Sequence, residues 1–170
     1  RTLFVTSWFR ILLMRMSRKR IKNLMKLDII DLQKFYRIDK NTVRKLVKGI
    51  LKDEGKDAEL NIVFLDNKRI KEINKNFLGH NYATDVLSFS YNETSLENNI
   101  TGEIIVSVEM AAKLAQNNGH AVEGEVALYI VHGLLHLLGY DDRQKRNAKK
   151  MHQRERELLP TFGYNVPVPG

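Results

Sequence analysis

Two histidines, a glycine and an aspartate stand at regular intervals in the segment HGLLHLLGYDD, residues 132–142. His132 and His136 are four residues apart, so on a helix both imidazoles lie on one face, about one turn apart. Gly139 can end that helix in a left-handed conformation, after which the chain can return Asp142 to the same point. The pattern predicts a single cation held by His132, His136 and Asp142, with a fourth position open for water.

The spacing matches the zinc motif H-E-x-x-H-x-x-G-x-x-H with aspartate in the last place. Metallopeptidases with that motif use the glutamate after the first histidine as general base, and here that position is Gly133, which argues against a peptidase. Glu125 could hydrogen-bond the metal shell or be a salt-bridged surface residue. Asp141 could orient a ligating histidine through its free N–H. No residue is assigned a catalytic role.

Two other interpretations of the segment remain open. The histidines could be buried residues of an ordinary core helix, although burying two imidazoles without partners is costly. Two histidines and one carboxylate are also the ligand set of non-haem iron oxygenases. In those enzymes the ligands usually come from barrel strands, so a helical pair disfavours that class.

Composition restricts the kind of site. The chain has 170 residues, enough for one domain, and no cysteine, so it has no thiolate ligands and suits a reducing compartment. The net charge of +8 comes from residues 1–27, which hold eight Lys or Arg and no Asp or Glu. Because the remainder is formally neutral, a charge argument for RNA or lipid binding applies only to that segment.

Residues 1–27 are expected to be a basic extension that is either not native or flexible, with a surface arm binding RNA or lipid as the alternative. The segment lacks Met at position 1, and its apolar run Leu3 to Met14 is interrupted by Arg10 and too short to span a bilayer. The basic cluster follows the apolar stretch, which does not fit a secretory signal. Residues 28–170 are expected to be the functional domain, with no membrane contact.

Hydrophobic periodicity predicts the elements that must position the site. The segment from Val122 to about Leu138 is apolar nearly all round and is predicted to be a buried central helix. The polar stretch NETSLENNITG is predicted to be a turn region. The other predicted helices cover 42–55, 67–79, 109–118 and 143–159, and the predicted strands cover 58–65, 85–91 and 103–108. We therefore expect a single α+β domain, with a mixed sheet of about four strands, about five helices and a zincin-like metal site on the central helix.

Three stretches, in order, resemble one known family. HGLLHLLGYDD is similar to the H-G-x-L-H-L-x-G-Y-D-H signature of the YbeY endoribonuclease family, ATDVLSFSY (83–91) to its P-T-D-V-L-S-F-P segment, and GEIIVSVEMAAKLA to its G-D-I strand and following helix. The resemblance implies a cytoplasmic, zinc-dependent endoribonuclease. Its implied role is to cleave single-stranded RNA in the 3′-end maturation of small-subunit rRNA and in ribosome quality control, with rRNA and the small ribosomal subunit as partners.

The sequence departs from that family at two functional positions. The third ligand is Asp142 where the family has histidine, and Leu78 stands where the family has an arginine. Only His80 and Lys75 are basic candidates nearby to replace that arginine. An alternative function is therefore a metal-stabilised ribosome-binding assembly factor with little catalytic activity.

Other polar residues receive weaker predictions. Thr84, Asp85 and Ser88 are expected to line or brace the cleft. His120 and His152 lie outside the motif and are expected to be surface histidines rather than ligands.

Overall fold

Four strands and five helices follow one another in the computed structural model, which describes residues 25–92 and 98–169. In chain order they are β1 (Lys26–Asp31), α1 (Lys40–Asp53), β2 (Asp57–Leu65), α2 (Asn67–Leu78), β3 (Val86–Ser90), β4 (Asn99–Ser107), α3 (Val108–Asn118), α4 (Val122–Leu137) and α5 (Lys145–Thr161). The α+β class and the numbers of strands and helices are as predicted.

The strands form one mixed sheet in the order β1-β2-β4-β3. Strands β1, β2 and β4 run parallel, with Ile29 opposite Ile62 and Ile62 opposite Ile104, and β3 is antiparallel to β4. Helix α2 covers one face through a small apolar cluster around Ile70. The larger core lies on the other face, where α4 is packed between the sheet and the remaining helices.

Two strand predictions needed correction. Strand β1 was not predicted at all, and β4 begins at Asn99, inside the stretch predicted to be a polar turn. In β4 the polar side chains of Asn99 and Thr101 alternate with Ile100, which is buried. A single apolar residue between polar ones is a weak strand signal, and pairing with β2 supplies what the local sequence lacks.

Helix ends follow their capping groups. Helix α1 begins at Lys40 because the Asp39 carboxylate accepts hydrogen bonds from the backbone N–H groups of Asn41 and Thr42. The helix predicted to begin at residue 42 therefore begins two residues earlier than predicted. Helix α5 begins and ends two residues later than predicted.

Helix α4 is buried along most of its length, as predicted. It approaches the sheet closely at Gly133, where a Cβ would lie 2.8 Å from Cγ2 of Ile104 and 2.9 Å from Oγ of Ser88. The Ser88 hydroxyl also donates to the Gly133 carbonyl oxygen at 3.1 Å. A glutamate at position 133 would collide with the sheet, which explains in physical terms why the peptidase base is absent.

Residues 1–24 of the predicted basic extension lie outside the described residues, and residues 26 and 27 are the first residues of β1. The division of the chain at residues 27 and 28 stays a prediction. Within the described part of the chain, the helices are too short or too polar to cross a bilayer.

Candidate metal centre

The end of α4 brings the three predicted ligands together. Gly139 has a φ of 95°, the left-handed conformation that favours glycine. The reversal is fixed by the N–H of Tyr140, which donates to the carbonyl oxygen of Leu135 at 2.9 Å. Beyond this turn the chain places Asp142 beside both imidazoles.

The ligand atoms converge with suitable spacing. Nε2 of His132 lies 3.1 Å from Nε2 of His136. The two carboxylate oxygens of Asp142 lie 3.5 Å from Nε2 of His132 and 3.7 Å from Nε2 of His136. A tetrahedral zinc ion with bonds of about 2.1 Å separates its ligand atoms by about 3.4 Å. His132, His136 and Asp142 therefore have the geometry and donor chemistry to hold a divalent cation.

The opposite ring nitrogens are held by the protein. Nδ1 of His132 lies 2.7 Å from Oε1 of Glu155, and Nδ1 of His136 lies 3.1 Å from the carbonyl oxygen of Tyr140. Both acceptors require an N–H at Nδ1, which leaves the lone pair at Nε2 directed at the candidate site. Such partners fix both tautomer and orientation in metal-ligating histidines.

The electrostatics of the two rings differ. Burial disfavours a charged His132, but the hydrogen bond and charge of Glu155 outweigh burial and raise the pKa of His132. At His136, burial and then the positive charge of His132 lower the pKa. The pair therefore accepts one proton more readily than two, which suits the short distance between the Nε2 atoms.

Glu155 was missed by the sequence-based reasoning. It is fully buried in α5, and its Oε2 also lies 2.9 Å from Nδ1 of His152. The available signal was its position on the apolar face of that helix, four residues after Met151 and three before Leu158, both buried. A carboxylate in such a row needs a partner in the core.

Four weaker predictions are corrected. Asp141 does not orient a ligating histidine, because its carboxylate accepts from Arg143 at 2.9 Å. His152 is not a surface residue, since its side chain is largely buried against Glu155. His120 is likewise largely buried, with Nε2 2.5 Å from Oε1 of the buried Glu125. The alternative of a surface position for Glu125 is therefore wrong.

A cavity of about 350 Å³ borders one of the three predicted ligands, His132. Its lining includes His132, Asp85, Glu125, Tyr129, Glu155 and Val168. The Asp85 carboxylate is oriented by the Thr84 hydroxyl at 2.9 Å and by the Val86 N–H at 2.8 Å. Asp85 thus lines the cleft, Thr84 braces Asp85, and Ser88 braces the helix through Gly133.

The fold and the cluster define a class: an α+β protein with a candidate single-metal centre at the end of a buried helix. The chain belongs to the Endoribonuclease YbeY family, whose family model matches residues 28–163. It is 40% identical over 130 residues to Endoribonuclease YbeY of Petrotoga mobilis, covering 75% of this chain and 88% of the relative. It is 34% identical over 141 residues to that of Syntrophus aciditrophicus, covering 79% and 88%.

A solved structure has a similar fold. The solution structure of TM1509 from Thermotoga maritima matches with a TM-score of 0.60 at 26% identity, covering 80% of this chain and 88% of that one.

Proposed function

We propose that this protein is a metal-dependent endoribonuclease that cleaves single-stranded RNA. One observation carries the proposal: His132, His136 and Asp142 converge at one point in a member of the Endoribonuclease YbeY family. The relatives' names support RNA as the substrate. Residue 133 is glycine rather than the glutamate that metallopeptidases use as general base, which argues against peptide hydrolysis at this site.

The three side chains would hold one divalent cation, with zinc as the proposed ion because two imidazoles and one carboxylate are a known zinc ligand set. A cation held by these residues would supply Lewis acidity toward a phosphoryl oxygen and toward water. Asp142 brings a negative charge where a third imidazole would be neutral, so the cation should be a weaker Lewis acid than with three histidines.

The surrounding residues orient the ligands. Glu155 and the Tyr140 carbonyl hold the two imidazoles with Nε2 directed at the cation. Asp85 lines the adjacent cavity as a fixed carboxylate. It is placed to accept a hydrogen bond from a ribose hydroxyl or a water in the cleft.

Within this function, we propose 3′-end maturation of small-subunit rRNA and ribosome quality control as the role. The small ribosomal subunit would be the partner and the cytoplasm the location. The family resemblance supports this role, and a reducing compartment agrees with a chain that has no cysteine.

The test is cleavage of an unstructured RNA by purified protein loaded with zinc. His136→Ala protein and chelator-treated wild type should each lose nearly all activity, and adding zinc back should restore only the wild type. Asp141→Asn is a matched control, because that carboxylate lies beside the site but bonds Arg143. Equal cleavage in all samples would mean that a contaminating nuclease is responsible and would overturn the proposal.

Leu78 favours a second candidate function. It is half exposed at the end of α2, at the position of the family arginine, and an alkyl side chain cannot stabilise phosphate charge. The alternative is a metal-stabilised ribosome-binding factor. Its signature would be binding to the small subunit and a lower melting temperature after metal removal, without turnover of RNA.

A further inference from the structure

Two aromatic rings are stacked in the loop between α2 and β3. The rings of His80 and Tyr82 have centroids 5.4 Å apart and planes inclined by 11°. Both residues are exposed, and Tyr82 retains 57% of its surface. The pair therefore presents ring surface to solution rather than to the core.

The backbone of this loop is anchored from within. Gly79 ends α2 in the left-handed conformation, and the N–H of His80 donates to the carbonyl oxygen of Asn74 at 3.3 Å. The side-chain amide of Asn74, which is buried, donates to the carbonyl oxygen of Tyr82 at 3.0 Å. Anchoring at both ends of the pair reduces the entropy lost when a ligand stacks on the rings.

Along the chain, the ring pair lies close to Asp85, which lines the cavity next to His132. Tyr82 precedes Asp85 by three residues, a span of at most about 11 Å. Asp85 and His132 line the same cavity. On the other side of the loop, α2 presents the exposed Lys68, Lys71 and Lys75 at intervals that place them along one face.

Resting on the proposed endoribonuclease function, we infer that His80 and Tyr82 form a platform on which one unpaired base of the RNA substrate stacks beside the cleavage site. Aromatic side chains next to a basic surface are the common means of holding single-stranded nucleic acid. A base in a duplex has both faces covered by its neighbours, so a stacking platform selects unpaired strands. The platform would supply part of the substrate affinity that Leu78 does not.

The experiment measures binding of zinc-loaded protein to a short fluorescent oligouridylate with 2′-O-methyl riboses, by anisotropy. Tyr82→Ala should weaken binding about 5- to 100-fold. Tyr82→Phe, which keeps the ring, should stay within about twofold of wild type. Phe35→Ala is the matched control, since Phe35 is similarly exposed (52%) but follows β1 at the opposite edge of the sheet.

An oligonucleotide with abasic residues separates stacking from phosphate contact. Wild type and Tyr82→Ala should bind this strand equally, because it offers no base. A Tyr82→Ala affinity equal to wild type on the intact strand would overturn the inference, as would an equal loss in Phe35→Ala or a loss that persists on the abasic strand.

Cleavage kinetics on unmodified RNA distinguish this inference from the proposed function. Wild-type binding that depends on Tyr82 without any turnover would support the platform and overturn the nuclease. Turnover whose KM is unchanged by Tyr82→Ala would support the nuclease and overturn the platform. If both are correct, Tyr82→Ala should raise KM with little change in kcat.

Discussion

Oε1 of Glu155 lies 2.7 Å from Nδ1 of His132, on the side of the ring away from the candidate metal centre. The two residues are 23 positions apart, and the glutamate comes from the core of α5. The contact holds the ring in one orientation and increases the basicity of Nε2. The candidate metal centre therefore depends on two packed helices, not on α4 alone.

Glu155→Gln should reduce zinc affinity about 10- to 100-fold while the protein stays folded, because the amide keeps the shape but loses the charge behind His132. Competition with a chromogenic chelator measures the affinity, and circular dichroism checks the fold. Glu157→Gln, on the same helix but exposed, should bind like wild type. Equal affinity for Glu155→Gln and wild type would show that the contact does not support metal binding.

Asp142→Ala should weaken zinc binding more than tenfold, since it removes one of the three predicted ligands. Asp142→His restores a ligand of the type usual in the family and should keep most of the affinity. Asp141→Asn changes the neighbouring carboxylate and should have little effect. Zinc content after dialysis measures all three, and full zinc content in Asp142→Ala would exclude Asp142 as a ligand.

Zinc binding should weaken as the pH falls, and the weakening should begin at a higher pH than for a histidine with an ordinary pKa. The pKa of His132 is raised above its usual value of 6.5, mainly by Glu155 working against burial. In the metal-free protein, the protonated His132 ring stabilises the fold. This contribution is fully present below the pKa that the histidine has in the unfolded chain, and it is lost as the pH rises through the pKa of His132 in the folded protein. A cation needs the ring unprotonated at Nε2, so affinity should fall as pH drops through the raised pKa.

Affinity measured between about pH 5 and 8 tests this dependence. In Glu155→Gln the midpoint should move to lower pH, because the group that raises the pKa of His132 has lost its charge. A midpoint that is the same in both proteins would contradict the assignment.

Gly133→Ala should destabilise the fold by about 1–3 kcal/mol, because the new Cβ would collide with Ile104 and Ser88 in the sheet. Gly124→Ala is the matched control on the same helix. There the nearest atom is 3.2 Å away, in Val166, so the new Cβ would be less crowded than at Gly133. Urea denaturation gives both free energies of unfolding, and an equal cost at the two positions would mean that the contact with the sheet is unimportant.

The sequence alone was sufficient to predict that the side chains of His132, His136 and Asp142 lie together. These residues fall within eleven positions, so helix periodicity and the left-handed Gly139 determine their relative placement locally. Helix α4 was predicted well for the same reason, because its apolar residues surround it whatever it packs against.

Tertiary structure decided the features that depend on distant partners. Strand β1 exists through pairing of residues such as Ile29 with Ile62, and its own short sequence carries too weak a pattern to indicate a strand. The contact of His132 with the buried Glu155 depends on how α5 packs against α4. The contact of His120 with the buried Glu125 depends on how the chain turns before α4. A side chain's charge is visible in the sequence, but its burial and its partner are set only when remote elements meet.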